Sequence, residues 1–333
     1  AIGMASPTVV DTVAADAPAC GEVTYDGSGT DDDPYKIENV SQLQCIEQKD
    51  LDAHYELVSD VDASDTQSWN GGKGFDPIGK CTGVDGEDPW IECGGRQFTG
   101  TFDGNSHTVS GLTVHRPGTD GVGLFAAADE AQFTNLRLTS VNITGGENTG
   151  GLAGQIVSDD INTTDGFVGN VSVNGTVTGE LDTAGVVGHG LDITLTDQIV
   201  FTGTVKGSDE VGGILGRSSE ATAVSTSYVR ATVEADRARG RVHGDNADAG
   251  GLVGNSGNPS DFTNVYTVGS VSGEVAGSIV GGGNDPSTFE DVYWDTDKGP
   301  NDAVGGYEPK GVVTPLSTAE MQGVTAEENM DFD

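Results

Sequence analysis

The chain has 333 residues with 53 acidic and 15 basic side chains, which gives a formal net charge of −38 and an isoelectric point near 4.1. A protein of this charge repels phosphate backbones and anionic lipid headgroups, so nucleic-acid binding and docking to anionic membranes are disfavoured. No run of about 18 apolar residues is present, so no membrane insertion is predicted.

The acidic residues are spread along the whole chain, and only seven residues are lysine. In molar salt the Debye length falls to about 3 Å, so repulsion between surface carboxylates is largely screened. In dilute buffer the same charge opposes the compact state. We therefore expect the protein of a halophile. The alternative is a secreted protein of a mesophile whose carboxylates are neutralised by bound calcium.

Residues 1–21 form an N-terminal extension that starts without Met and without a charged segment. This start predicts a mature, exported chain whose signal peptide has been removed. Its apolar residues allow two interpretations, a disordered leader or a strand that adds to the sheet edge of a second copy. These residues are Ile2, Met4, Val9, Val10 and Val13.

All four cysteines lie in the first 93 residues, and none is in a C-x-x-C pair. Two disulfides in an oxidising compartment are therefore expected, and Cys20–Cys45 with Cys81–Cys93 is the simplest of three connectivities. Five Asn-x-Ser/Thr sequons are candidate glycosylation sites and weakly support export. They are Asn39, Asn142, Asn162, Asn170 and Asn174.

Residues 22–97 are expected to form an N-terminal cap, in which Ser41 and Gln44 have capping-box spacing and open a helix. Asp60, Asp62 and Asp65 form an Asp-x-Asp-x-x-Asp pattern, and residues 31–33 form a second acidic cluster. Either could bind calcium through carboxylate oxygens, although neither has the Gly and terminal Glu of an EF-hand loop. The alternative is a solvated acidic surface. No other cofactor is predicted.

Residues 98–306 carry two repeated patterns with one shared period. A glycine-bounded apolar element recurs with steps of 28, 34, 28, 38 and 27 between its central residues. These residues are Leu124, Leu152, Val186, Ile214, Leu252 and Ile279. A second pattern, exemplified by Gly175-Thr-Val-Thr-Gly179, recurs with steps of 28, 28 and 38. The step of 38 is one period plus a ten-residue insertion.

The repeats alternate apolar with Thr, Ser or Asn residues, which is typical of half-buried strands, and they contain no helix-period run. A propeller blade needs about 40 to 50 residues, whereas a coil of three short strands fits 28. The sequence therefore predicts an all-β parallel β-helix whose open ends need caps. Residues 307–333 are the expected C-terminal cap, with a capping box at Ser317–Glu320 and a helix over 317–329.

The Gly-Gly-Leu-Val-Gly element at 250–254 resembles the GLUG motif of bacterial and haloarchaeal surface proteins. The segments at 27–37, 55–62, 75–79, 98–104, 292–295 and 316–321 are similar to other parts of that family. The resemblance covers about residues 22–333. It implies an extracellular, right-handed parallel β-helix, often within large adhesins, and no established catalytic residues. The inserted Cys81–Cys93 loop and the lack of a C-terminal anchor depart from the pattern.

An enzyme has to be considered, because many parallel β-helices act on polysaccharides. Gly188-His189-Gly190 matches the Gly-His-Gly of polygalacturonase-like enzymes, which also need paired carboxylates and an Arg-x-Lys element. Asp159-Asp160 is present, but no Arg-x-Lys is. His189 also follows a repeat motif in the same position as Gln155 and Arg217. We therefore favour a turn residue over a catalytic one.

The ten-residue insertion reverses the sign of the local charge. Four of the eight arginines and a histidine lie in or next to it: Arg230, Arg237, Arg239, Arg241 and His243. Guanidinium groups suit carboxylates, sulfates or the acidic surface of a partner. The alternative is pairing with acidic coils of the same chain.

Together these observations predict a non-catalytic, secreted or cell-surface protein of a halophile. It would act in adhesion, or as a structural subunit of an extracellular appendage or filament. Expected partners are a surface glycan, another cell-surface protein, or a second copy that meets the N-terminal extension or a β-helix edge. The alternatives are a polysaccharide-active β-helix enzyme and a viral fibre module that recognises a host surface.

Overall fold

The computed structural model describes residues 16–80, 95–158, 166–219, 222–241, 246–257, 260–283, 287–307 and 309–330. Successive strands pair in parallel with their equivalents one coil away and form three sheets of 16, 6 and 4 strands. The chain is therefore a parallel β-helix, as the 28-residue period predicts. None of the described helices is long and apolar enough to cross a membrane.

The first half of the chain contains β1 (Tyr35–Ile37), β2 (His54–Leu57), β3 (Val61–Asp62), β4 (Thr101–Asp103), β5 (Thr108–Ser110), β6 (Thr113–His115), β7 (Phe125–Asp129), β8 (Gln132–Thr134), β9 (Arg137–Thr144), β10 (Ala153–Val157), β11 (Gly166–Gly169), β12 (Ser172–Thr178) and β13 (Thr183–Ala184). The second half contains β14 (Val187–Leu191), β15 (Ile193–Thr196), β16 (Ile199–Gly207), β17 (Val211–Gly212), β18 (Leu215–Ser219), β19 (Thr222–Ala235), β20 (Asp248–Gly250), β21 (Val253–Ser256), β22 (Ser260–Ser272), β23 (Val275–Gly277), β24 (Val280–Gly283), β25 (Thr288–Asp295) and β26 (Lys310–Leu316). The helices are α1 (Val40–Lys49), the single turn α2 (Trp69–Gly72) and α3 (Val324–Asn329), and 3-10 turns lie at Cys20–Glu22, Ser64–Ser68 and Arg237–Arg239.

The two sequence repeats stack in register, as predicted. The central residues of the first repeat, from Leu124 to Ile279, are all fully buried. In the second repeat, Gly175 pairs with Gly203, Gly203 with Ala231, and Ala231 with Gly269. The first glycine of the apolar element is required because a Cβ at Gly250 would collide with the Val253 carbonyl oxygen. The period therefore records one coil of the β-helix.

The core changes composition along the axis. One inward column contains, in register, Tyr35, Tyr55, Phe102, Phe133, Val168, Leu195, Val224, Phe262 and Phe289. Aromatic side chains thus fill the ends of the column and aliphatic side chains its middle. At the N-terminal end, the rings of Tyr35 and Tyr55 lie 5.5 Å apart, and the Lys49 ammonium lies 4.4 Å from the centre of Tyr35.

The N-terminal cap is helical as expected, but its helix begins earlier than the Ser41 capping box predicts. Asn39 is the N-cap, and its side-chain oxygen accepts a hydrogen bond from the Gln42 backbone N–H at 3.1 Å. The Gln42 side chain in turn accepts from the Glu38 N–H at 2.7 Å. Leu43 and Ile46 of α1 are fully buried in the core.

The C-terminal cap differs more from the prediction. Ser317 and Glu320 do exchange capping hydrogen bonds, but the chain continues as a turn, and α3 covers only Val324–Asn329. The backbone of Gly323 has a φ of 61°, which interrupts a continuous helix over 317–329. Before this turn, β26 adds one more parallel strand next to β25.

Candidate functional site

The three aspartates of the predicted calcium pattern are held apart. Asp60 accepts a hydrogen bond from the Thr108 N–H at 2.9 Å, and this bond lowers the pKa of Asp60. Asp62 accepts from the Ser64 N–H at 2.9 Å, with the same effect on the Asp62 pKa. Asp65 lies exposed in the following 3-10 turn. Within the described ranges, no group of three or more His, Cys, Asp or Glu side chains is placed to hold a metal ion.

The N-terminal disulfide is present in the structure. Cys20 and Cys45 are bonded, with 5.3 Å between their Cα atoms, and attach the chain before β1 to α1. Cys81 and Cys93 lie outside the described residues, as do His243, the Asp159-Asp160 pair, residues 1–15 of the extension and the sequon at Asn162. The other four sequon asparagines, Asn39, Asn142, Asn170 and Asn174, are exposed. Their glycosylation stays a prediction.

The arginines of the insertion form ion pairs with acidic coils of the same chain. Arg237 meets Glu274 and Arg239 meets Glu234, each at 3.0 Å. Arg241 reaches Asp120 at 2.6 Å and both Glu147 and Glu180 at 3.0 Å. We call Arg237, Arg239 and Arg241 with these acidic partners the arginine clasp.

The arginine clasp corresponds to the intramolecular alternative, because stacking places one carboxylate from each of three successive coils below Arg241. The Ser208 hydroxyl also donates to the Arg241 carbonyl oxygen and fixes the returning chain. Arg230 lies apart from the clasp on β19 and is exposed. Partner binding through these arginines stays a prediction.

We expect Arg241→Gln to reduce the free energy of unfolding by about 1 kcal/mol in about 1 M NaCl, and by less in about 4 M NaCl. The side chain is 49% exposed, so each pair is weak, but its loss leaves three neighbouring carboxylates without their shared cation. Denaturant unfolding at the two salt concentrations measures the effect. Arg237→Gln, which removes a single pair, is the matched control, and an equal loss in both variants would contradict a shared clasp.

A second polar cluster runs through the coils next to the apolar repeat. Four pairs of side chains occupy equivalent positions in successive coils, each pair separated by seven residues. They are Asn148 with Gln155, Asp182 with His189, Glu210 with Arg217, and Asp248 with Asn255. We call these eight residues the polar ladder. Asp182 and His189 are fully buried, and Glu210 and Gln155 nearly so.

Hydrogen bonds cross the polar ladder in three of its coils. The Asn148 amide donates to Gln155 Oε1 at 3.3 Å, and the Asn255 amide donates to Asp248 Oδ2 at 2.9 Å. Arg217 Nη1 lies 3.2 Å from both oxygens of Glu210. His189 Nε2 lies 3.0 Å from the Ser219 hydroxyl. His189 lies in the middle of strand β14, paired with Gln155 and Arg217 of the adjacent coils, so the prediction of a turn residue was wrong, and its side chain is fully buried.

Two acidic members of the ladder, Asp182 and Asp248, have raised pKa values. Burial, the nearby Glu210 carboxylate and a hydrogen bond to it raise the pKa of Asp182 well above its usual value. Burial, reinforced by Asp209 and Glu210, raises the pKa of Asp248 to about 6. Glu210 accepts hydrogen bonds from Arg217. The raised pKa of Asp182 favours its neutral form next to this buried ion pair.

This arrangement predicts that stability falls as the pH rises. A carboxyl whose pKa is higher in the folded than in the unfolded state stabilises the fold most below the unfolded value, near 4, and this contribution is lost as the pH rises through the folded value. Asp182→Asn removes the titration, and Asn148 shows that the equivalent position accepts an amide. We expect a shallower pH dependence and higher stability than wild type at pH 8, by about 1 kcal/mol or more.

Urea unfolding between pH 4 and pH 8 in about 3 M NaCl tests this prediction, because high salt screens the general charge repulsion. Asp62→Asn is the matched control, since the pKa of Asp62 is lowered and its removal should leave the slope above pH 5 unchanged. An Asp182→Asn variant with the wild-type slope would show that the proton is not held there.

Comparisons with known proteins relate parts of the chain to two relatives, and no family model matches it. Over 169 residues, 49% of the chain, it is 38% identical to "Halomucin" of Haloquadratum walsbyi, of which it spans 2%. Over 149 residues, 44% of the chain, it is 29% identical to a "Putative Gly-rich membrane protein" of Evansella cellulosilytica, of which it spans 15%. The chain therefore matches only a small part of either relative.

A solved structure shares the fold over nearly the full length. The crystal structure of a "putative immunoglobulin A1 protease" from Bacteroides ovatus superposes with a TM-score of 0.56, covering 91% of this chain and 90% of that one. The two sequences are 17% identical, so the likeness concerns architecture alone. The chain is a parallel β-helix with sequence similarity to a segment of halomucin.

Proposed function

We propose that the chain is a non-catalytic β-helix module of a protein secreted to, or displayed on, the surface of a cell that lives in concentrated salt. The module provides a stiff, acidic rod for adhesion or for a structural appendage. Similarity to halomucin and to a Gly-rich membrane protein supports the surface location, and the net charge of −38 supports the solvent. The partners we propose are a surface glycan, another surface protein or a second copy.

The distribution of charge in the folded chain carries this proposal. Arg237 and Arg241 are paired with carboxylates of other coils, whereas Arg217 and Arg239 are paired within their own coil, so these basic groups form ion pairs within the rod. Because acidic side chains outnumber basic ones by 53 to 15, most carboxylates remain for the outer surface. Such a surface suits a protein whose repulsion is screened by the solvent.

The proposed lack of catalysis is supported by the burial of His189, the histidine of the Gly-His-Gly motif, and of Asp182. His189 and Asp182 are fully buried in the polar ladder, where a polymeric substrate cannot reach them. We expect no release of reducing ends from pectin, alginate or starch in about 3 M NaCl. Release above the blank that is lost in His189→Gln would overturn this part and favour the polysaccharide-active alternative.

The surface location has its own test. Antibodies raised against the folded module should label intact cells of the source organism, and protease treatment of intact cells should remove the signal. A cytosolic marker protein is the control for cell integrity. Labelling that appears only after permeabilisation would contradict the proposal.

A further inference from the structure

A column of side chains that is partly exposed from Ser172 to Tyr266, and buried at Tyr293, changes abruptly in size along the β-helix. Ser172, Val200, Tyr228, Tyr266 and Tyr293 occupy equivalent positions in five successive coils. The rings of Tyr228 and Tyr266 are half-buried and stacked, with centroids 4.4 Å apart and planes inclined by 30°. Val200 leaves open the space that a third ring would fill in the preceding coil.

A cavity of about 260 Å³ occupies this place. Its floor contains Val200 with Tyr228 and Tyr266, and its rim contains the amides of Gln198 and Asn264 and the hydroxyl of Thr226. Its volume is close to the lower end for small-ligand clefts, about 300 Å³. The cavity therefore combines an aromatic wall with side chains that both donate and accept hydrogen bonds.

The cavity continues into a larger groove of about 570 Å³ in the preceding coils, with Gln198 and Thr226 shared between the two. Phe167 and the amides of Asn135 and Asn170 line this second part. Coils are about 4.8 Å apart, so Phe167 and Tyr228, two coils apart, lie roughly 10 Å apart along the axis. The groove thus has an aromatic side chain in each part.

The described lining carries little charge, in contrast to the rest of the surface. None of the described residues around the smaller cavity is charged, and Asp197 is the one charged residue among the described residues that line the larger part. An anionic ligand would meet no cation in this lining and an acidic protein around it. The site therefore favours a ligand that is neutral and rich in hydroxyl groups.

We propose that this groove binds a neutral oligosaccharide, with one pyranose ring packed against Tyr228 above Val200. The C–H face of a pyranose is the apolar, weakly positive surface that the negative face of an aromatic ring accepts. Its hydroxyl groups then reach Gln198, Thr226 and Asn264. The proposal rests on the proposed surface function only in placing such a ligand outside the cell.

The corner next to the groove supports a role beyond packing. At this corner the residue with positive φ is Asn170, Asp197 or Asn264 in the nearby coils, residue types that tolerate this conformation, and Gln198 next to Asp197 also has a positive φ. In the coil of Tyr228 it is the β-branched Thr226, with a φ of 48°. A β-branched residue is an outlier in this conformation, and here its side chain lines both parts of the groove.

Binding of cellohexaose, maltohexaose and mannohexaose in about 3 M NaCl, followed by saturation-transfer NMR and isothermal calorimetry, tests the proposal. Protein without N-glycans is used, because Asn170 lines the groove. We expect at least one neutral hexasaccharide to bind, and hexagalacturonate to bind at least tenfold more weakly. Tyr228→Val, which copies Val200 of the preceding coil, should weaken binding at least tenfold, whereas Tyr228→Phe should retain it.

Because Tyr228 lies on the outer face, the melting temperature of each variant serves as the folding control. Gln198→Ala changes the rim without touching the aromatic stack, and it should also weaken binding. The proposal is overturned if none of the three neutral hexasaccharides binds, if Tyr228→Val binds as wild type does, or if hexagalacturonate binds as tightly. Each of these results would leave the surface-labelling and reducing-end tests unaffected, so the two proposals fail separately.

Discussion

Transfer of the protein from about 4 M to about 0.2 M NaCl is expected to lower its melting temperature by at least about 10 °C. The Debye length grows from below about 3 Å to about 7 Å over this range, so carboxylates on neighbouring coils begin to repel one another. With a net charge of −38, few cations within the chain oppose this repulsion. For a chain of 333 residues the shift corresponds to about 7 kcal/mol of unfolding free energy at the melting temperature.

Thermal unfolding followed by circular dichroism at several salt concentrations measures this effect. Sucrose, which stabilises compact states without screening charge, is the control and should not replace the salt. Adding millimolar CaCl₂ in low salt tests the alternative of a calcium-loaded protein, because calcium binding at specific sites would restore the melting temperature at that concentration. A melting temperature independent of NaCl would contradict the halophilic interpretation.

The fold was accessible from the sequence because each coil repeats the same local constraints. Val177, Val205 and Val233 recur at one phase of the period, and the structure places them in one buried column. The glycine positions follow from the same geometry, since the backbone of the next coil passes too close for a Cβ. In a strictly periodic fold, the register between coils can therefore be predicted from the repeat in the sequence.

The polar ladder was not predicted, although all its members keep the same spacing of seven residues. The pairs differ chemically, from two amides in Asn148 and Gln155 to a carboxylate and a guanidinium in Glu210 and Arg217. A search by residue type therefore finds no repeat, and His189 seen alone resembles an enzyme motif. Position relative to the apolar element relates Gln155, His189 and Arg217 in the sequence, but the register of the coils is needed to show that the residue seven positions before each belongs to the same cluster.

The arginine clasp needed three-dimensional information for a different reason. Arg241 contacts Asp120, which is 121 residues away in sequence, and no local pattern connects them. The groove next to Tyr228 was missed likewise, because Val200 and Tyr228 are unremarkable until stacking shows the change in side-chain size. The insertion determines the ion pairs of Arg241, and the change in side-chain size between Val200 and Tyr228 forms the groove. The 28-residue period alone predicts neither feature.

Arg217→Met is expected to be the most destabilising single change in the polar ladder, with a loss of about 3–5 kcal/mol of unfolding free energy at pH 7. It leaves the Glu210 carboxylate, 4% exposed and adjacent to the Asp182 carboxyl, without its cation. Urea unfolding in about 3 M NaCl at pH 7 measures the change.

Another pair of the polar ladder is the model for a variant that should restore the stability lost in Arg217→Met. Glu210→Asn with Arg217→Gln copies the Asn148–Gln155 pair of an earlier coil, and the double variant should recover more than half of the loss, because no charge remains buried without a partner. Lys206→Met is the surface control: its pair with Glu234 is about one-third exposed on each side and should contribute less than about 1 kcal/mol. If the double variant is as unstable as Arg217→Met, then the packing of the arginine stem and not its charge stabilises this coil.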